Sequence, residues 1–383
     1  MNILHVNTTA GFVGGVERYI YSAADLLSGR HAAVGLFEER LGDSQGFTEA
    51  FRETWLFHDL DTRRRRELIE AIDVAFVHKI SNPDLFQWLV ENFTTILIVH
   101  DHDYYCVRRH KYYPLVRINC HRPFHPVVCS LCSGLLEKRA GKIAPVSLFR
   151  HMRLLESARR TDRQVVLSDF MRDNLIKNGF DAERIEKIHP FYHIQSANVR
   201  KETSGPAQLL YVGQIIRGKG VDQLIESLQY LKNSFSLSII GQGNDREYIQ
   251  SLIRQYNLEK RVVLEGWKSN VDKYYHAADL LIVPSRWQEP FGLIGMEAFS
   301  HHVPVVGFDV GGIGEWLRDG ENGYLVEPGN PAEMARKIDH LIDNPELRHT
   351  MGEAGYQLVK NEYNRENFLE RFHRLLSELN NYE

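Results

Sequence analysis

Apolar residues in this chain fall into short unbroken runs separated by longer stretches of helical spacing. The short runs recur near residues 2–7, 32–37, 54–58, 74–79, 95–100 and 164–168. A second series follows at 209–213, 236–241, 261–267, 280–285 and 303–308. Runs of this length predict strands buried on both faces. The stretches between them predict helices. One spans about 146–159, and another spans 168–179, with Ser168 or Asp169 at its start and Gly179 after its end. Strand and helix in alternation imply parallel sheets with helices on both faces. Residues 191–206, FYHIQSANVRKETSGP, are polar and aperiodic and read as a linker. The expected layout is a first domain over 1–190, a second over 207–364, and a last helix over 365–383. At 383 residues the chain is long enough for two ordinary domains.

The most informative stretch is 280–328. A buried strand ends in Pro-Ser, a polar loop carries Trp287, Gln288, Glu289 and Pro290, and Gly292 is expected to open a helix to about His301. Open α/β sheets bind ligands where a loop leaves a strand's carboxyl end for a helix. The free N–H groups there, around Phe291, Gly292, Leu293 and Ile294, suit an anion. Glu289 and Glu297 flank this turn with seven residues between them. Two carboxylates would repel a bare anion, but they accept hydrogen bonds from hydroxyls. A phosphate with hydroxyl-rich groups on either side is a sugar nucleotide.

With EPFGLIGMEA around the two glutamates and GGIGE and NGYLVEPGN behind them, the stretch resembles the retaining glycosyltransferases of family 4. The resemblance covers most of the chain and is strongest over 205–365. It implies the GT-B fold: two Rossmann-like, doubly wound α/β domains facing each other across a cleft. It also implies transfer from a nucleotide-diphosphate sugar to a saccharide, lipid-linked or small-molecule acceptor, with no cofactor for catalysis. Glu289 is then expected to hold sugar hydroxyls and Glu297 the ribose. Gly14 and Gly15, in the glycine-rich loop after the first strand, would face the donor diphosphate. Glu17 beside them is expected to be a first-turn helix acid.

In the second domain the strand ending at Gly213 leads through Arg217 to Lys219, a placement that suits phosphate. Members of the family commonly carry Arg straight after that glycine. Here Gln214 stands there, and Arg217 is the nearby substitute. The resemblance also places Trp267 and Lys268 beside the nucleobase; Trp267 as core filler is the competing reading. At the end of the 95–100 strand, HDHDYYC allows two readings. Asp101 and Asp103 form a DxD of the kind that holds a divalent cation on a diphosphate. The resemblance instead makes His100 a donor contact, and this second reading is favoured.

The net charge of −4 gives no electrostatic case for nucleic acid. No apolar run approaches the roughly 20 residues that span a bilayer. The amino terminus reads directly as a strand rather than a secretion signal, which predicts a cytoplasmic chain with reduced cysteines. All four cysteines, Cys106, Cys120, Cys129 and Cys132, nonetheless fall in one segment of about 102–145. The C-x2-C pair favours a structural zinc, with His110, His121 and His125 in reserve. Disulfides and plain thiols remain open. Four consecutive arginines, Arg63 to Arg66, read as a solvated helix face, with an anionic membrane surface as the alternative.

Overall fold

The computed structural model describes residues 1–113, 118–133, 136–139, 142–194 and 205–380. Most of the expected 191–206 linker lies outside them. The chain divides into two compact units. The first comprises 1–110, 121–189 and 369–383, and the second comprises 111–120 and 190–368. Two assignments depart from chain order. The final residues group with the first unit, and a ten-residue piece of the cysteine segment groups with the second.

The first unit is built on β1 (Asn2–Ala10), β2 (Ala32–Arg40), β3 (Glu53–Leu56), β4 (Val74–Lys79) and β5 (Thr95–Val99). Two short antiparallel hairpins follow in the chain, β6 (Tyr112–Tyr113) with β7 (Ile118–Asn119) and β8 (Leu136–Arg139) with β9 (Lys142–Pro145). The unit's sheet is completed by β10 (Arg163–Val166) and β11 (Ile185–Lys187). Its order is β11-β10-β5-β4-β1-β2-β3, and every pairing is parallel. The central strands are buried along nearly their whole length, as unbroken Val/Ile/Leu runs require. The C-terminal helix Arg365–Asn380 adds Phe372, fully buried against Phe76 of β4.

The second unit repeats the plan with β12 (Ala207–Val212), β13 (Phe235–Ile240), β14 (Val262–Gly266), β15 (Leu280–Val283), β16 (Val305–Phe308) and β17 (Gly323–Val326). Its order, β14-β13-β12-β15-β16-β17, is again all parallel. The order reverses between β12 and β15, the switch point at which a doubly wound sheet opens a crevice. Residues after both strands meet in that crevice.

The arginine run begins the helix Thr62–Ala71, which Asp61 caps by accepting from the Arg64 amide at 2.8 Å. Two of the four guanidiniums lie on aromatic rings of their own unit: Arg64 is 4.6 Å over Trp55, and Arg65 is 4.8 Å over Phe57. No described helix is long and apolar enough to cross a membrane.

Candidate active site

A cavity of about 480 Å³ opens at the β12/β15 switch point, within the size range of small-molecule sites. Gly213, Lys219, Glu289, Gly292, Leu293, Ile294 and Glu297 all line it. The side chains come from three places: the end of β12, the turn at 217–219, and the loop and helix after β15.

Glu289 is buried, and its Oε1 accepts three hydrogen bonds. Lys219 Nζ donates at 2.6 Å, Ser285 Oγ at 2.6 Å and Trp287 Nε1 at 2.9 Å. Burial alone would raise its pKa. The Lys219 charge and these three donors outweigh that, and hold the carboxyl below the ordinary glutamate range. None of the three donors reaches Oε2, which leaves that oxygen to accept from a ligand. Glu297, on the helix Ile294–Ser300, accepts from Tyr275 Oη at 2.8 Å.

The loop holding Glu289 is braced from both sides. Gly218 sits against the Trp287 ring, where a Cβ would come within 2.3 Å of it. The Arg286 and Trp287 amides both donate to Gly218 O, at 2.8 and 3.2 Å. Arg286 also grips Asp222 with two guanidinium nitrogens. Beneath the loop, Gly311 has φ +62° and lies so close to the Glu289 backbone that a side chain would collide with its carbonyl. The Gly312 amide donates to that carbonyl at 2.7 Å. Trp316, fully buried, donates from Nε1 to Phe291 O at 2.6 Å. The GGIGEW turn thus supports the site from below.

Several expected placements change. The helix after Pro290 begins at Ile294 and not at Gly292, because Gly292 has φ +89°, outside helical geometry. Arg217 does not line the cavity. Its guanidinium bonds Asp245 at 2.9 Å and lies 4.5 Å over the Tyr248 ring. Trp267 is 62% exposed, which excludes a core role. Lys268 pairs with Glu265 at 3.1 Å and lines a separate depression with Asp272 and His276. Gly14, Gly15 and His100 belong to the first unit. Gly14 precedes the helix Gly15–Leu27, and its amide donates to Glu17 Oε2 at 2.8 Å, so Glu17 caps that helix.

The DxD does not present an open cation site. Lys79 Nζ sits between the two carboxylates, 2.8 Å from Asp101 and 2.6 Å from Asp103. No disulfide joins Cys106, Cys120, Cys129 and Cys132. Among the described residues no group of three or more His, Cys, Asp or Glu is placed to hold a metal ion. The zinc suggested by spacing therefore does not fit this arrangement. Instead, Gln288 Nε2 donates to Cys120 O at 3.0 Å and to Lys111 O at 3.4 Å, tying the Glu289 loop to the β6–β7 segment. Sequence reasoning missed Ser285, Tyr275 and Gln288, and only Trp287 carried a local signal, as an aromatic in a polar loop.

The fold and this switch-point cavity define a GT-B protein, and comparison with known proteins agrees. The family model described as Glycosyltransferase Family 4 matches residues 13–195, and that described as Glycosyl transferases group 1 matches 195–358. The chain is a GT-B glycosyltransferase-family protein related to these two groups. An uncharacterised glycosyltransferase of Methanocaldococcus jannaschii is 38% identical over 39% of this chain and 42% of its own length. The poly(ribitol-phosphate) alpha-N-acetylglucosaminyltransferase of Staphylococcus aureus is 29% identical over 57% and 44% respectively. The match thus spans less than half the length of these two relatives. Among solved structures, Anabaena HepE in complex with UDP superposes with a TM-score of 0.76 over 99% of this chain and 100% of its own, at 17% identity. That likeness shows the fold.

Proposed function

We propose that the chain moves a sugar from a UDP- or GDP-linked donor to a saccharide, lipid-linked or small-molecule acceptor, with retention and without a catalytic metal. The observation that carries this reading is the Glu289 carboxylate. One of its oxygens is saturated by Lys219, Ser285 and Trp287, while the other is left for a hydroxyl in a cavity that Glu297 also lines. A site that hydrogen-bonds hydroxyls discriminates well, because a substrate lacking the group leaves a buried carboxylate unpaired.

In this reading Lys219 and the amides at Gly292 to Ile294, where the loop enters the helix, stabilise the departing diphosphate. Fixed charge and dipoles act there in place of a metal ion. The bond from the anomeric carbon to phosphate oxygen breaks. The acceptor oxygen bonds that carbon on the same face, and its proton passes to the departing diphosphate. Glu297 holds the ribose, and His100 of the first unit contacts the donor sugar. Gly14 and Gly15 approach the diphosphate, and Trp267 with Lys268 flank the base. The fold-level likeness to HepE makes UDP the first nucleotide to try. A cytoplasmic site of action, with acceptors reached at a membrane surface, is part of the proposal.

The test is a thermal-shift screen of nucleotide sugars, followed by transfer and hydrolysis assays in chelator. Transfer or slow donor hydrolysis supports the reading. Isomerised donor with no transfer would point to an epimerase, and donor binding with neither product to a binding module.

A further inference from the structure

Three histidines form a buried row across the first unit's sheet, one from each of the adjacent strands β1 and β4 and one just past the end of β5. His5 Nδ1 lies 3.2 Å from His78 Nε2, and His78 Nδ1 lies 2.9 Å from His100 Nε2. The rings are nearly parallel, with centroids 5.5 and 5.2 Å apart. Phe51 and Phe76 meet His5 edge-on, and the Tyr19 ring stands across His78 and His100. His5 and His78 are 0% and 1% exposed, and His100 is half-buried.

Each contact in the row needs one donor and one acceptor, so a single choice of direction sets all three tautomers. The choice is made at the closed end. His5 Nε2 is buried and has no hydrogen-bond partner among the described residues. A buried N–H left without an acceptor is rarer and costlier than a buried lone pair. His5 therefore keeps Nε2 bare and donates from Nδ1 to His78. His78 in turn donates from Nδ1 to His100 Nε2, and the remaining proton of His100 sits on Nδ1.

We infer that His78, oriented by His5, is a positioning residue that fixes His100 as a hydrogen-bond donor through Nδ1–H, aimed at an oxygen of the ligand. This rests on the proposed role of His100 as a donor-sugar contact. Burial supports a neutral row. It lowers His5 to about 3 and His100 to about 4, and holds His78 well below the usual histidine value. At His100, Asp101 and Lys79 pull in opposite directions. A hydroxyl, carbonyl or phosphate oxygen satisfies such a group.

Spectra of the full-length protein carrying isotope-labelled histidine read which ring nitrogen bears the proton. The expected result is a proton on Nδ1 of His100. A proton on Nε2 overturns the inference. His78→Asn keeps a donor at the Nδ1 position, whereas His78→Leu does not. With transfer as the assay, His78→Leu is expected to lower kcat roughly tenfold to a hundredfold with KM little changed. His78→Asn is expected to recover most of that loss. Equal losses in the two variants would also overturn it. The spectrum needs no substrate, so a failed donor reading and a failed tautomer assignment are told apart.

Discussion

Each unit sets acid past the end of a parallel strand beside a lysine, and the two arrangements end in opposite electrostatic states. In the second unit one carboxylate, Glu289, faces Lys219 with two further donors, and is held ionised. In the first unit two carboxylates, Asp101 and Asp103, share the ammonium of Lys79, and Arg109 Nε lies 3.7 Å from Asp103. Lys79 lowers Asp101 against the cost of burial, while burial and the Asp101 charge push Asp103 up to about 6. At Glu289 all three donors converge on one oxygen and leave the other to a ligand in the cavity. In the first unit the ammonium is held between two carboxylates.

Removing Lys219 should break this contrast most severely. Lys219→Ala takes away the one cation that lines the cavity among the described residues. Turnover is expected to fall by roughly 10²–10³, the scale of losing one electrostatic stabiliser. Steady-state kinetics would check it, and wild-type turnover in Lys219→Ala would falsify the phosphate role. Glu297→Ala comes next. Loss of a charge-assisted hydrogen bond of about 1.5–3 kcal/mol should weaken nucleotide binding by one to two orders of magnitude. Calorimetry with the nucleotide alone separates this effect from turnover.

The acid-rich cluster makes a subtler prediction. Because Asp103 titrates at about 6 rather than the ordinary 3.8, the folded chain binds more protons than the unfolded chain between those values. The contribution of this group to stability therefore falls as pH rises through that window. Asp103→Asn should leave the thermal midpoint at pH 7 unchanged or raised, whereas Asp101→Asn should lower it. The reverse ranking would mean that Lys79 favours Asp103. The smallest effect is expected from Gln214→Arg. Gln214 is exposed and lines the cavity where the family resemblance implies an Arg, so this change should tighten nucleotide binding only several-fold, an increment of about 1 kcal/mol.

The two sheets were legible because their strands are unbroken apolar runs, which periodicity reads directly. Glu289, Glu297 and Lys219 were legible because each stands at a strand-to-helix junction of the kind that gathers ligands. The distant partners of those residues were not. Tyr275 reaches Glu297 across 22 positions of sequence, and Asp245 draws Arg217 away across 28. Neither contact has a local signature. The contact of Cys120 with the Glu289 loop was equally hidden: its carbonyl accepts from Gln288 across 168 positions. The histidine row depends on strand order, which places β4 between β1 and β5.

The most direct test of the central claim is a calorimetric titration of UDP- and GDP-sugars into the full chain in excess chelator, repeated with Lys219→Ala. The account predicts saturable, one-to-one binding of one nucleotide class without a divalent ion, and a clear loss of affinity in the variant. Binding that appears only when a divalent ion is restored, or that is indifferent to Lys219, would contradict it.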